Sequence, residues 1–384
     1  MNFKLHKKST RNVLFIASYA ECPRVWKMAS VLAERHFKVT ILEWDRKAEL
    51  PAAENASGMC VRRMKLKAPY GSRLILFLPV WWMYASLYLL THRFEVVQPQ
   101  NLDNLVVSWM VSHLRRAKIS YDIADFYADT YVPGNVTPLR RFVAWLERNL
   151  IMSADAAIAV DEARLRQINL PSVKFSVIYN SPPDIYSDFK GKRADKARSN
   201  LPFTIFYAGI LEKDRGLDMM VEAIRELPNV RLVVAGFGHL EKEFSRLAGR
   251  HNNVEFLGRV PYDRVLELTH ASDCVIAIYD PTVRNNVFAS PNKLFESMLC
   301  AKPIIVSDGT AMSEVVRRER CGFVVEYGNV KQLKELILRI KEDRWLLNWC
   351  GENGRRAYER DYAWSLMETR YMETLSVFLP QCDA

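Results

Sequence analysis

Short, near-continuous apolar runs alternate along this chain with stretches whose apolar residues recur every three or four positions, the signature of buried strands interleaved with one-sided helices. Val13 to Ser18 reads as a buried strand, Arg24 to Arg35 carries helical periodicity through Val25, Met28, Ala29 and Leu32, and Lys38 to Glu43 is the next strand. Further strands are expected at Val96-Val97, Ser120 to Ile123, Ala156 to Val160 and Phe175 to Ile178, with helices at Asp103 to Arg116 and Pro138 to Met152. The stretch from Ser187 to Asn200 is polar and charge-rich with almost nothing to bury, as a surface linker would be. Beyond it, strand patterns recur at Phe203 to Ala208, Val230 to Ala235, Val254 to Leu257, Cys274 to Ile278, Pro303 to Ser307 and Phe323 to Val325, each pair separated by a helical stretch. Such alternation predicts doubly wound parallel sheets. The 384 residues exceed the roughly 250–300 at which one core stops growing, so two α/β domains are expected. Their bounds are 1–186 and 201–363, with 187–200 as linker and 364–384 as a closing helix that crosses back to the first domain.

Leu74 to Leu90 breaks the pattern: 17 residues without a charge, flanked by Arg73 and by His92-Arg93. It is borderline for a membrane span, and Pro79, Tyr84, Ser86 and Tyr88 weaken that reading. Trp81 and Trp82, with the upstream cations Arg62, Arg63, Lys65 and Lys67, suit an interfacial element instead. The plain alternative is a buried helix of the first domain. Charge sharpens the contrast between halves, because the net +10 divides into +12 over residues 1–200 and −2 over the rest. The first half therefore suits an anionic partner, a membrane surface or a phosphorylated acceptor, and no recognised nucleic-acid-binding signature accompanies it. Seven scattered cysteines without a C-x-x-C pair argue against a disulfide framework or zinc site and fit a reducing, cytoplasmic setting. No secretory signal is evident in the basic start of the chain.

The candidate chemistry gathers in the second half. In Ser290-Pro291-Asn292-Lys293-Leu294-Phe295-Glu296, Ser290 can cap a helix, Pro291 suits its first position, and Lys293 and Glu296 then share a face. A lysine beside a helix start offers a place for phosphate, and a carboxylate can accept two sugar hydroxyls, so a nucleotide would satisfy both. An exposed ion pair is the plainer reading. Tyr207 to Leu217 runs from a strand through Gly209, Lys213, Arg215 and Gly216 into a helix, either a phosphate cradle or a turn with solvated cations. Gly236-Phe237-Gly238 after a strand is a fragment of a dinucleotide fingerprint, weak alone because Glu241 stands where the third glycine would be. In the first half, Asp125 follows a strand and can take a proton from an acceptor hydroxyl, or simply cap a turn. Tyr19 and Arg24 flank the first strand-to-helix turn, which reads as an acceptor loop or as ordinary turn chemistry.

Taken together and in this order, these segments resemble the family 4 glycosyltransferases across nearly the whole chain. Glu21-Cys22-Pro23-Arg24-Val25 is similar to the family's D-P-R-V loop, and Tyr121-Asp122-Ile123-Ala124-Asp125 to its Y-D-x-H-D/E segment. Val177-Ile178-Tyr179-Asn180 is similar to V-I-P-N, and Gly209 to Gly216 to G-R-L-x-x-x-K-G. Val254 to Val260, containing Arg259, is similar to V-x-F-L-G-x-V, and Pro291 to Pro303 to the helix E-A-M-A-x-G-x-P, in its P-x-K-x-x-E form. The chain departs from the family at Phe288, which replaces the first glutamate of the E-x7-E pair, at Ile210, which replaces a phosphate-binding arginine, and at Ala124, which replaces a histidine.

The resemblance implies a GT-B fold of two Rossmann-like domains facing each other across a cleft, in which a sugar passes with retention of configuration from a UDP- or GDP-sugar to a saccharide acceptor. It implies donor binding by Gly209, Arg215, Asn180, Gly236, Arg259, Ser290, Pro291, Asn292 and Glu296, with Lys213, Lys293 and Asp125 carrying catalysis and Tyr19 and Arg24 the acceptor. No cofactor or metal is implied, since no D-x-D segment of the metal-dependent kind lies in a phosphate position and cations can stabilise the leaving diphosphate. The basic first half and the aromatic segment point to a lipid-linked acceptor at the inner face of a membrane, in polysaccharide or glycolipid synthesis. The rival readings are a nucleotide-sugar epimerase and a non-catalytic partner of another transferase.

Overall fold

The computed structural model describes residues 11–69, 72–132, 136–189 and 201–379. Most of the linker expected at 187–200, and the last residues of the chain, lie outside these. Two compact units are present, Met1–Ile178 with Glu368–Ala384, and Tyr179–Met367.

The first unit is built on β1 (Asn12–Ala17), α1 (Pro23–Glu34), β2 (Lys38–Asp45), β3 (Ala53–Ala56), β4 (Met59–Lys65), α2 (Leu78–Thr91), β5 (Val96–Pro99), α3 (Asn101–Arg115), β6 (Lys118–Ile123), α4 (Tyr127–Thr130), α5 (Thr137–Met152), β7 (Ala156–Ala159), α6 (Glu162–Ile168) and β8 (Phe175–Val177). The strands form one sheet in the order β3-β4-β2-β1-β5-β6-β7-β8. All pair in parallel except β3 with β4, an antiparallel hairpin turned by Ser57-Gly58, both at positive φ. This hairpin is absent from the sequence reading, and it takes Arg63 out of the basic run at 62–67 that reads as interfacial. Arg63 lies inside β4, buried, and donates to Glu43 on β2 at 2.6 Å and to Glu54 on β3 at 2.5 Å.

Leu74 to Leu90 takes the plainer of the readings open to it, a helix packed into the first unit. It forms a short 3-10 turn and α2, and among the described residues no helix is long and apolar enough to cross a membrane. Trp81 is 0% exposed, stacks on Trp44 and donates its indole N–H to Asn104 Oδ1 at 2.8 Å. Trp82 donates to the Asp103 carbonyl at 2.6 Å. Both indoles therefore turn their N–H toward α3, Trp81 fully buried and Trp82 half-buried, because an indole N–H packed against protein needs a partner and α3 supplies one to each. The side of α2 turned from the sheet remains apolar as well, with Met83 and Leu87 exposed.

The second unit holds β9 (Phe203–Ile210), α7 (Leu217–Ile224), β10 (Val230–Phe237), α8 (Glu241–Ala248), β11 (Val254–Gly258), α9 (Tyr262–Ala271), β12 (Cys274–Ala277), α10 (Arg284–Val287), α11 (Asn292–Leu299), β13 (Ile304–Ser307), α12 (Ala311–Glu319), β14 (Gly322–Val325), α13 (Val330–Glu342) and α14 (Arg344–Ala357). Its sheet is all parallel, in the order β11-β10-β9-β12-β13-β14. The chain winds outward from β9 through β10 to β11, then returns to the other side of β9 at β12. That reversal opens a crevice at the carboxyl ends of β9 and β12, the place where such sheets take ligands. A final helix, α15 (Trp364–Ser376), belongs to the first unit from Glu368 onward, where Tyr371 donates to Gln98 Oε1 at 2.7 Å.

Candidate active site

At the reversal point of the second sheet, α11 delivers Lys293 over the ends of β9 and β12. The helix starts one residue later than the sequence suggests. Pro291 is its N-cap residue with extended backbone (φ −75, ψ 145), and no side chain caps the helix, so Ser290 does not play that part. Proline's fixed φ and missing N–H place it comfortably just outside the first turn. The α11 amides at this end are left without a side-chain acceptor.

Lys293 is 6% exposed, and its Nζ has no hydrogen-bond partner. The ammonium lies 3.8 Å from the ring centroid of Tyr207 on β9 and 5.4 Å from that of Tyr279, which follows β12. Arg215 covers the same Tyr279 ring at 4.0 Å, so two cations share one aromatic ring. Burial, and after it the neighbouring Arg215 charge, push the Lys293 amine down to about 7, only partly opposed by Glu296. A half-charged, buried and unpartnered amine is costly unless an anion completes it.

Glycine makes room for that anion. Gly209, at φ +153, faces the ammonium so closely that a Cβ there would lie 2.9 Å from Lys293 Nζ. Gly236 pairs with Gly209 across β10 and β9, and a Cβ on it would meet the Gly209 carbonyl at 1.9 Å. The expected result for Gly209→Ala is a folded protein whose donor affinity is lower by about tenfold or more, read by titration calorimetry; unchanged affinity would remove Gly209 from the site.

Other predicted residues assemble around this point. Arg215, on a 3-10 turn with Lys213, donates to Asn286 Oδ1 at 2.6 Å and pairs with Asp214 at 3.3 Å, which fixes its guanidinium. Lys213 is exposed on the same turn. Asn180 donates to Asn292 Oδ1 at 2.7 Å, while its own Oδ1 is buried without a partner. Glu296 is 4% exposed and takes a hydrogen bond from the Tyr262 hydroxyl, whose acidity that contact and burial both suppress. Arg259 lies over the Phe237 ring at 4.8 Å, next to Gly236, with both side chains exposed. Sequence reasoning did not single out Tyr207, Tyr279, Tyr262 or Asn286 as site residues. Tyr207 stands in the carboxyl half of β9 and Tyr279 just past the end of β12, the one signal that could have marked them.

In the first unit the predicted residues divide. Arg24 corrects the sequence reading: it is 3% exposed and fully engaged, forking onto Asp122 at 2.8–3.0 Å and donating to the Ile178 carbonyl at 2.6 Å. It ties α1 to β6 and the end of β8 and presents nothing to an acceptor. Tyr19 is 38% exposed, with its hydroxyl 2.8 Å from Cys22 Sγ. Asp125 follows β6, its backbone N–H donates to Asn101 Oδ1 at 3.1 Å, and its carboxylate meets Arg164 at 3.3 Å. Nearby, burial raises Asp103 to about 6 and Glu147 to about 8. Glu147 accepts from the Tyr121 hydroxyl at 2.8 Å and the Tyr127 amide at 3.0 Å, which marks it as a structural pin of α5.

Among known proteins, the chain is similar to glycosyltransferases. Residues 188–357 match the family model described as Glycosyl transferases group 1. The uncharacterized glycosyltransferase MJ1069 of Methanocaldococcus jannaschii is 21% identical over 311 residues, covering 76% of each chain. Sucrose-phosphate synthase from Thermosynechococcus elongatus superposes with a TM-score of 0.79 at 16% identity, over 96% of this chain and 99% of that one. Anabaena Alr3699/HepE, solved in complex with UDP-glucose, gives 0.70 at 18% identity, over 95% and 99%. The two α/β units are thus those of the GT-B fold. The match to the family model falls within the second.

Proposed function

We propose that the chain transfers a sugar from a nucleotide-diphosphate sugar to a saccharide acceptor, with the diphosphate seated on Lys293 and Arg215. The observation that carries this is the buried Lys293 Nζ, without a hydrogen-bond partner, aimed at Gly209 on the strand that opens the sheet's reversal point. HepE was solved with UDP-glucose, which favours a donor of that chemistry, as a UDP- or a GDP-sugar would be. Negative charge gathers on the leaving diphosphate as the sugar departs. Two cations fixed by Tyr279, with the α11 amides beside them, stabilise that charge without rearranging. Glu296, already a hydroxyl acceptor for Tyr262, takes the donor's ribose hydroxyls in this reading. Arg259 and Phe237 lie beside Gly236 in the same unit and complete the nucleotide's surroundings.

The sugar leaves with retained configuration by front-face attack, so no protein nucleophile is needed, and Lys213 and the other cations stand in place of a metal. Asp125 receives the acceptor's proton, and Tyr19 stands near it on the first unit. The acceptor is lipid-linked and the protein works at a membrane surface, as the +12 charge of residues 1–200 favours. Incubation with UDP-glucose or GDP-mannose and a polyprenyl-diphosphate saccharide tests the reading. Nucleotide release only when acceptor is present, lost or at least tenfold slower in Glu296→Gln, is the expected outcome. Donor turnover to an isomer without acceptor would instead make the chain an epimerase, and binding without turnover a non-catalytic partner.

A further inference from the structure

The winding of the first unit's sheet places α2, α3 and α5 side by side on one face. Each follows a strand whose successor lies further in the same direction, and right-handed crossovers put such helices on the same side. α3 packs against both of the others. All three turn large apolar side chains away from the sheet. Met83 and Leu87 of α2 are 68% and 61% exposed, Leu114 of α3 is 77%, and Phe142 and Trp145 of α5 are 55% and 58%. The last two stack with ring centroids 5.9 Å apart and are one helical turn from each other. α2 is therefore apolar both toward the core and away from it, which a helix facing only water does not sustain.

Charge identifies what covers this face. The three helices contain two carboxylates, Asp103 and Glu147, and both are buried, at 5% and 0% exposure. The exposed charges on the helices themselves are Arg115 and Arg141; beside them stand Arg73, Arg93, Arg116 and Lys118, together with Glu95, which accepts from the Asn12 amide, and Asp155, which pairs with Lys118. The outer helices of the second unit differ, since α13 exposes both signs and pairs Lys331 with Glu335. An apolar surface whose three helices carry arginines and no exposed carboxylate, with tryptophan and phenylalanine at its outer edge, matches the boundary between lipid headgroups and acyl chains.

We infer that the outer face of α2, α3 and α5 is a docking surface for an anionic lipid bilayer, entered by Phe142, Trp145, Met83 and Leu87. The inference deepens the reading of a membrane-borne acceptor and rests on it for its purpose. It also relocates the contact, from Trp81, Trp82 and Arg63, which are tied into the unit, to side chains that no sequence pattern had picked out. Aromatic and aliphatic side chains insert at the acyl boundary while the arginines meet lipid phosphates, so neither half of the attraction suffices alone.

Cosedimentation of the full chain with phosphatidylcholine vesicles in which about one lipid in three is phosphatidylglycerol tests this. Wild type is expected to bind, and about tenfold less well to pure phosphatidylcholine; Phe142→Ser with Trp145→Ser, or Met83→Ser with Leu87→Ser, should weaken binding about tenfold or more. Thermal shift by UDP-glucose serves as the control, and each variant should keep the wild-type shift, because none of these residues touches the donor site. Wild type and variants partitioning equally, or binding indifferent to phosphatidylglycerol, would overturn the inference. So would lipid-free self-association that the same variants abolish, since the face would then belong to a second copy of the chain. Absence of any donor response with vesicle binding intact would sink the transferase reading and leave the docking surface standing.

Discussion

Lys293→Met is expected to make the ligand-free protein more stable while removing donor binding. The Lys293 amine sits near 7 in the folded protein against an ordinary 10.5, chiefly through burial and then through Arg215. Between these values the unfolded chain holds a proton that the folded chain does not, so stability falls as pH drops from 10.5 to 7 and stays low below 7. At neutral pH the loss is about 4 kcal/mol, and methionine, of similar volume, should recover about 2–4 kcal/mol of it after forfeiting the contact with Tyr207. Thermal melts across pH check the sign. The variant should melt higher than wild type at pH 7, and the two should converge toward pH 10.5; a variant that melts lower at every pH would mean the amine is satisfied in the folded state. Donor affinity should meanwhile drop by about two orders of magnitude, because a charge-assisted contact to phosphate is lost from a desolvated site.

Arg24→Ala is expected to do the reverse, costing about 3–5 kcal/mol of stability because it strands Asp122, which is 1% exposed, without its counter-charge. The Ile178 carbonyl would lose its donor in the same step. Replacing both partners, Arg24→Met with Asp122→Leu, should restore most of the stability, since an apolar pair carries no unmet charge. Urea unfolding separates the alternatives. If Arg24 served the acceptor, the single variant would keep its midpoint and show only a higher acceptor KM.

Arg24 shows why the sequence is read so unevenly. Its position in a loop similar to a family motif suggests a ligand, yet its partner is 98 residues away, and nothing local announces that pairing. Arg63 and Trp81 fail for the same reason. The one answers Glu43 on a neighbouring strand and the other Asn104 on a neighbouring helix, so a run of cations and a pair of indoles that look interfacial are absorbed by tertiary contacts. By contrast, the strands of the parallel sheets are legible because both their faces are buried, and their apolar runs leave no other reading. Lys293 and Glu296 are legible because helical spacing is a local property. What the spacing could not show is the aromatic cage, since Tyr207 and Tyr279 reach Lys293 only once β9 and β12 lie side by side. The Ser290 cap misled for a subtler reason: Pro291 takes extended backbone and becomes the cap residue itself, which moves the helix start by one.

The central claim is that Lys293 Nζ is the diphosphate's partner, and proton uptake on donor binding tests it most directly. UDP-glucose has no phosphate group that titrates near neutrality, so any proton taken up must go to the protein. Titration calorimetry at pH 7, in two buffers of different ionisation enthalpy, should show wild type taking up about half a proton per donor bound, because an amine near 7 is half neutral before binding and charged after it. GDP-mannose should behave alike if it proves the better ligand. Binding with no proton uptake, or uptake that persists in Lys293→Met, would contradict the claim.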